Sequence, residues 1–545
     1  MIVLGINQVP LAWGYYHDSA AALVRDGEIV AFAEEERFNR IRHTRYFPKN
    51  AMDFCLKEGG ISLEQVDAIA ISLNPYFIFK YPKLWLRLHP IRFLHDLVNV
   101  LTMELFKWRM TRPILCIDHH LAHAASAYYC SGFENAIALT LDSSGERESV
   151  AVFLPQGHLL KRYLEIPLTT PFSNKKSQSV GRVYSYTSKI LGMGFGGEGK
   201  TMGLASYGEP TYDFSDILHI ESSRKWIINN EKVKRFEHLK RLPHEDPTQE
   251  QKNLAASVQK ALEDSILNLT EDLHKRTGIR KFCLAGGVAL NCTTNGKLFH
   301  KDYCDDIFVQ PIANDGGVAL GAALAGYAKL SGKNPNRRMR NPYWGPAYSN
   351  ESIEKILKYG KLEYTYHENI EEIVAKEVAA NKVVGWFQGK MEGGPRALGN
   401  RSILANPATP GMNDKVNLLV KNRERWRPFA PAVCAENVLD YFTEPAHTPY
   451  MILTSYVLEE KRALLPAITH VDGSARVQSV EEVDNPLFYK LLRALEKETG
   501  IPMVLNTSFN DKGDPIVCTP KEALYCYFTT GLDALALGNF FLKKN

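Results

Sequence analysis

One pattern occurs twice in this chain and limits what it can fold into. An apolar run at residues 1–7 is followed by two short runs, 20–24 and 29–33, around Arg25-Asp26-Gly27-Glu28. The order returns at 136–141, with runs 149–154 and 159–163 around Pro155-Gln156-Gly157-His158. Short apolar runs hinged on such turns read as a buried strand and then a hairpin. The recurrence predicts an internal duplication: strand, small polar loop, hairpin.

At 545 residues the chain exceeds one ordinary domain. Residues 253–274 have helical spacing, 282–285 read as a strand, and Gly316-Gly317 open a helix to about 329. Residues 331–346 are rich in Gly, Pro, Asn and Arg and read as a linker. That predicts domains at 1–345 and 346–545. Helices near 352–357 and 370–381 and a strand at 383–387 open the second. The net charge of +4 comes without a Lys/Arg block, so no nucleic-acid partner is expected. Nine cysteines without a C-x-x-C pair fit neither a zinc ribbon nor a disulfide framework. With no signal peptide and no bilayer-length apolar run, a cytoplasmic chain without a membrane is expected.

His119 and His123 stand four apart in an Ala-rich stretch, on one face of a helix. The 136–141 strand ends in Asp142, and the run 307–310 leads to Asp315. Two imidazoles and two carboxylates suit a divalent ion such as iron, manganese or zinc. The strand 282–285 runs into Gly286-Gly287 and Asn291, where backbone N–H groups could approach a phosphate or nucleoside. Around Lys200, residues 196–203 read either as a Gly-rich lid near phosphate oxygens or as a surface loop, and a P-loop is not expected. His17, with Arg42 nearby, could orient a nucleophile or hold a carbonyl oxygen.

Cations gather in loops of the C-terminal part. Arg396 and Arg401 share one Gly-rich loop; Lys421, Arg423 and Arg427 share another; Arg476 follows Gly473-Ser474. Arginine in such loops suits phosphate, because its planar fork binds two oxygens. Asn506 and Ser508, placed after a strand at 503–505, could add amide and hydroxyl groups. Taken singly each arginine reads as structural; as a set they read as a polyphosphate or acyl-phosphate pocket. Residues 76–110 mix aromatic and basic residues and read as an amphipathic helical insertion over the sheet. A sharper alternative has them approach an anionic or lipid-bearing acceptor, or a membrane surface.

The motifs Tyr16-His17-Asp18-Ser19-Ala20-Ala21, Glu35-Glu36-Arg37-Phe38-Asn39-Arg40, His119-His120-Leu121-Ala122-His123, Glu198-Gly199-Lys200-Thr201-Met202-Gly203 and Gly394-Pro395-Arg396-Ala397-Leu398-Gly399 together resemble the nodulation- and antibiotic-type O-carbamoyltransferases. The resemblance runs from end to end. It implies an α/β chain: a duplicated actin-like (ASKHA) ATPase-type domain, then a YrdC-like α/β domain. It implies two steps. Carbamoyl phosphate and ATP, with Mg2+, give carbamoyl-adenylate in the second domain. The first domain passes the carbamoyl group to a hydroxyl of a small natural product or oligosaccharide and releases AMP. By the same resemblance Arg396, Lys421, Arg427, Arg476, Asn506 and Ser508 line the first-step site. His119, His123, Asp142 and Asp315 hold the metal, Fe2+ first and Mn2+ or Zn2+ as alternatives. Gly286, Gly287 and Asn291 contact the nucleotide, and His17 and Arg42 face the acceptor. Relatives often carry Lys where Arg42 stands, so charge stabilisation is expected there and proton transfer is not. A homodimer is compatible with all this. The competing readings are a carbamoylation factor for tRNA or protein, and an inactive nucleotide-binding scaffold.

Overall fold

The computed structural model describes residues 1–8, 17–80, 90–110, 112–168 and 178–544. The chain divides into two units. Unit 1 is Met1–Asn39 with His43–Met339; unit 2 is Arg340–Asn545 with Arg40–Arg42. The division at Met339 lies six residues before the expected boundary at 345, and three residues near the N-terminus fall in unit 2.

In unit 1, Ile2–Ile6 (β1), Ala20–Arg25 (β2), Glu28–Glu34 (β3), Ala68–Ile71 (β4) and Ile114–Cys116 (β5) form one sheet. Its order is β3-β2-β1-β4-β5, antiparallel among the first three and parallel from β1 to β5. A second sheet uses Ile137–Leu141 (β6), Glu148–Gln156 (β7) and Leu159–Pro167 (β8). A two-stranded ribbon intervenes, Leu218–Ser222 (β9) and Lys225–Ile228 (β10), before Lys281–Ala285 (β11) and Asp306–Val309 (β12) complete that sheet. Its order, β12-β11-β6-β7-β8, repeats the first with the same strand directions. The duplication read from the two hairpins is present in the backbone. The first strand of each repeat sits in mid-sheet, which is why β1 and β6 are nearly unbroken apolar runs and do not alternate.

The fifth strand of each repeat leads into a helix, His119–Ser131 after β5 and Gly317–Ser331 after β12. Both are rich in alanine and almost wholly buried, and both end at a left-handed glycine, Gly132 and Gly332. They approach very closely: a Cβ on Gly321 would fall 1.7 Å from the Ala122 carbonyl oxygen. The long helix Gln249–Thr277 starts in a capping box formed by Thr248 and Gln251. Helix Pro90–Arg109 packs Val100, Met103 and Phe106 inward; residues 81–89 of the aromatic-basic segment lie outside the described residues.

Unit 2 is built on a mixed eight-stranded sheet among the described residues. Alternate residues of its strands enter two cores. Ile403, Ala405, Met503 and Leu505 face one, while Leu404 and Val504 face the other with helices Ile370–Ala379 and Pro486–Thr499. Strand Met503–Ser508 is longer than expected, so Asn506 and Ser508 are strand residues, not a loop after it. It pairs with Arg401–Ala405 on one side and Ala430–Cys434 on the other.

Candidate active site

In unit 1 the chain ends of β6 and β12 meet the start of helix His119–Ser131. His119 and His123 lie one turn apart with ring centroids 4.6 Å apart. His123 Nε2 is 3.0 Å from Asp142 Oδ2 and 3.6 Å from Asp315 Oδ1. His119 Nε2 is 3.6 Å from Asp142 Oδ2 and 3.7 Å from Asp315 Oδ1. An ion bonded at about 2.0–2.2 Å holds neighbouring donors roughly 3–3.5 Å apart, so these separations fit a divalent metal. All four side chains are buried. Burial works against a charged imidazole, yet the Asp142 and Asp315 carboxylates outweigh it and push His123 up to about 9. Burial likewise disfavours the Asp142 carboxylate, but its His119 and His123 contacts hold it well below the usual range. A cation therefore belongs between these carboxylates, as a proton or as a metal.

His120 plays no part in the cluster. Its Nδ1 meets the Thr140 hydroxyl at 2.6 Å and its Nε2 the Glu148 carbonyl at 3.2 Å. Burial pushes it down to about 4, so it is a neutral core histidine tying the helix to the sheet. The cluster is held from outside. Glu146 accepts the His119 backbone N–H at 2.9 Å. Asn7, directly after β1, donates to the carbonyls of Asp18 and Asp315 at 2.9 and 2.8 Å. Gly286 takes φ +90°, and a Cβ there would fall 2.2 Å from the Leu141 carbonyl oxygen. Gly287 lies beside Asp142 Oδ1. Asn291 caps helix Cys292–Phe299 and pairs with Gln259, which commits most of its amide.

Asp18 holds His17 Nδ1 at 2.9 Å and His43 Nδ1 at 2.6 Å, and receives Asn314 Nδ2 at 3.0 Å. Arg42 is exposed and belongs to unit 2, where its positive charge bears on Arg427. His43 is the residue the sequence reading missed. Asp18 and His43 both adopt left-handed backbone, φ +58° and +54°, a conformation that collects at functional sites. The Phe195 ring lies edge-on to both imidazoles, and Gly196 closes over His43. Residues 194–201 do spell the Walker A spacing, Gly194-x4-Gly199-Lys200-Thr201. What excludes a P-loop is context: the stretch joins helix Val180–Ile190 to helix Glu198–Ala205, and no strand leads into it. Lys200 is half-buried on the second helix.

Unit 2 sorts its cations into two kinds. Arg401 is fully buried, stacks on Phe387 at 3.7 Å and donates to the carbonyls of Pro346, Gln388, Gly389 and Asn400. It is a structural arginine. Lys421 is also buried, donating to Ser508 and Asn510 oxygens at 2.7–3.3 Å. Burial, then repulsion from Arg423 and Arg427, holds its pKa well below the usual lysine value. Arg423 and Arg427 are lowered in the same way, with Arg476 adding to the repulsion. Glu424 is the carboxylate that eases both. Such crowding would be relieved by an anion. Asn506 pairs with Gln478 at 2.9 Å and reaches the Ala397 carbonyl at 3.3 Å. Glu392 Oε1 accepts the backbone N–H groups of Leu398, Asn400 and Arg401, clamping the loop that carries Arg396.

The Carbamoyltransferase N-terminus family model matches residues 7–324, and the Carbamoyltransferase C-terminus model matches 375–544. Nodulation protein NolNO of Sinorhizobium fredii is 37% identical, covering 99% of this chain and 80% of its own length. An uncharacterised protein of Synechocystis sp. is also 37% identical, over 99% of this chain and 96% of that one. The 3'-hydroxymethylcephem-O-carbamoyltransferase of Amycolatopsis lactamdurans is 33% identical over 48% of each chain. With both halves matched in order along one chain, the protein belongs to the carbamoyltransferase family and is a carbamoyltransferase.

Proposed function

We propose that the protein is an ATP-dependent O-carbamoyltransferase, with an actin-like transfer domain in unit 1 and a YrdC-like activating domain in unit 2. The observation that carries this reading is the cation cluster of Lys421, Arg423, Arg427 and Arg476, whose mutual repulsion calls for a multiply charged anion. Carbamate is a poor electrophile, so a mixed anhydride with AMP is the chemistry such a site would serve. The step balances with one water. Carbamoyl phosphate gives carbamate and orthophosphate; a carbamate oxygen then bonds to the α-phosphorus of ATP and pyrophosphate leaves. Lys421, Arg427 and Arg396 would take up the charge that grows on pyrophosphate, and Asn506 and Ser508 would orient the carbamoyl end.

In unit 1 the acceptor hydroxyl would bond to the carbamoyl carbon as the bond to AMP breaks. His119, His123, Asp142 and Asp315 would hold a divalent ion, Fe2+, Mn2+ or Zn2+, which supplies positive charge for the phosphate of the leaving AMP. The chain's own groups do the rest. Gly286 and Gly287 let backbone approach the nucleotide. Asp18 fixes the His17 imidazole through Nδ1; burial opposes its charge, but Asp315 and Asp18 outweigh that and raise it to about 10, so the protonated ring would use Nε2–H to hold the carbamoyl oxygen. The acceptor class is a hydroxyl-bearing small natural product or oligosaccharide, and the ATP is read as its Mg2+ complex. The test is product analysis with ATP and carbamoyl phosphate. Orthophosphate and pyrophosphate should appear together, and AMP in proportion to a 43-dalton gain on a supplied alcohol (roughly the mass of a carbamoyl group less a hydrogen). Carbamoyl transfer without ATP would overturn the reading.

A further inference from the structure

Two imidazoles share the Asp18 carboxylate in unit 1, and the transfer step described above uses only His17. Asp18 Oδ2 lies 2.9 Å from His17 Nδ1, and Asp18 Oδ1 lies 2.6 Å from His43 Nδ1. Burial disfavours the Asp18 charge, but its His17 and His43 contacts outweigh that and hold it well below the usual carboxylate range. An ionised carboxylate only accepts, so both Nδ1 atoms carry hydrogen. The rings differ at the far nitrogen. His43 Nε2 is buried and meets no hydrogen-bonding group among the described residues. A charged His43 would leave a cationic N–H unmet there, which costs more than an unmet neutral group. His43 is therefore the neutral ring of the pair, with a lone pair on Nε2.

Asn7 and Asn314 set the pair beside the His119, His123, Asp142 and Asp315 cluster. Asn7 donates to the carbonyls of Asp18 and Asp315, and Asn314, next to Asp315, donates to Asp18 Oδ2. Phe195, itself 72% exposed, stands 5.7 Å from the His17 ring and 5.5 Å from the His43 ring. The glycines on either side of it take left-handed backbone, φ +77° at Gly194 and +69° at Gly196. A Cβ on Gly196 would lie 3.0 Å from His43 Nε2, so the lone pair faces this glycine.

We propose that His43 is the general base of carbamoyl transfer, its Nε2 taking the proton of the acceptor hydroxyl. The proposal rests on the transfer reaction set out above. The hydroxyl oxygen bonds to the carbamoyl carbon, its proton passes to Nε2, and the bond to AMP breaks with its electron pair going to AMP. Asp18, held at His43 Nδ1–H, offsets the charge that arrives on the ring. The acceptor enters from the Phe195 side, where that ring and Gly196 give way. The ring returns its proton to solvent once the product has left.

The experiment uses His43→Asn. Asparagine tolerates the left-handed backbone at this position and can still offer Asp18 an N–H, but has no nitrogen where Nε2 stood. The wild type and the variant are given ATP, carbamoyl phosphate and either ethanol or trifluoroethanol, whose hydroxyl is far more acidic. Transfer to ethanol should fall about 100- to 10,000-fold, with pyrophosphate release unchanged. The defect should shrink at least roughly tenfold on trifluoroethanol, which needs less help from a base. His17→Asn should slow both alcohols alike. Histidine-selective nitrogen NMR of the wild type, with the His43 signal identified from the variant, should show a neutral ring with hydrogen on Nδ1. Transfer to ethanol that survives the substitution, an equal defect on both alcohols, or hydrogen on His43 Nε2 overturns the proposal. Wild-type transfer that needs no ATP would instead overturn the two-step reaction and leave His43 as the base.

Discussion

Replacing Arg401 by Met should destabilise unit 2 without touching the chemistry. The guanidinium serves four carbonyl oxygens. Two have a second donor, Asn400 from the Gln388 N–H and Pro346 from the Met391 N–H. The carbonyls of Gln388 and Gly389 have none among the described contacts; Gly389 is exposed and can turn to water, but Gln388 is buried, and a buried acceptor left unmet costs about 1–3 kcal/mol. Losing the stack on Phe387 adds about 1–2 kcal/mol. Relief from burying the guanidinium, seen in its lowered pKa, returns part of this. A net loss of about 3 kcal/mol follows, or roughly 6–12 °C in melting temperature for a unit of this size. Arg401→Lys should fall between, since one ammonium cannot follow a fork. Differential scanning calorimetry measures the shift, and titration with inorganic pyrophosphate on the same samples measures anion affinity. A variant that melts within about 2 °C of the parent but no longer binds pyrophosphate would refute the structural assignment.

Arg427→Ala is the opposite case: pyrophosphate release should drop about 100-fold, while stability holds or rises as repulsion in the cluster is relieved. Asp142→Asn should remove most bound metal by elemental analysis and abolish carbamoyl transfer, yet leave pyrophosphate release partly intact; equal loss of both activities would count against separate sites. The depressed Lys421 sets a sign with pH. Between its folded and unfolded pKa values the unfolded chain holds more protons, so stability rises with pH across that window. An anion bound there restores the proton, so pyrophosphate binding should take up protons and weaken as pH rises. Calorimetry in buffers of different ionisation heat reads the uptake, and none at any pH would remove Lys421 from the site.

The duplication was legible because hairpin turns and apolar runs are local signals. His119, His123, Asp142 and Asp315 were legible for the same reason, each sitting at the end of a strand or the start of a helix. His43 was not, because what selects it is the Asp18 carboxylate 25 positions away, and sequence shows no such distance. The difference between Arg401 and Arg427 was also hidden. Both stand near Gly or Pro in the sequence, and only packing tells whether a guanidinium meets carbonyls or other cations.

The two sheets of unit 1 share a path, yet matching positions have parted in chemistry. Asn7 follows the first strand of one repeat and Asp142 follows the first strand of the other. The amide gives hydrogens and pins two carbonyls; the carboxylate has only lone pairs to offer and so collects positive charge. One repeat uses this position as a brace, the other as a carboxylate that faces two imidazoles. Exchanging the two side chains would not restore symmetry: it would set a repelling charge among carbonyls and leave the imidazoles facing an amide.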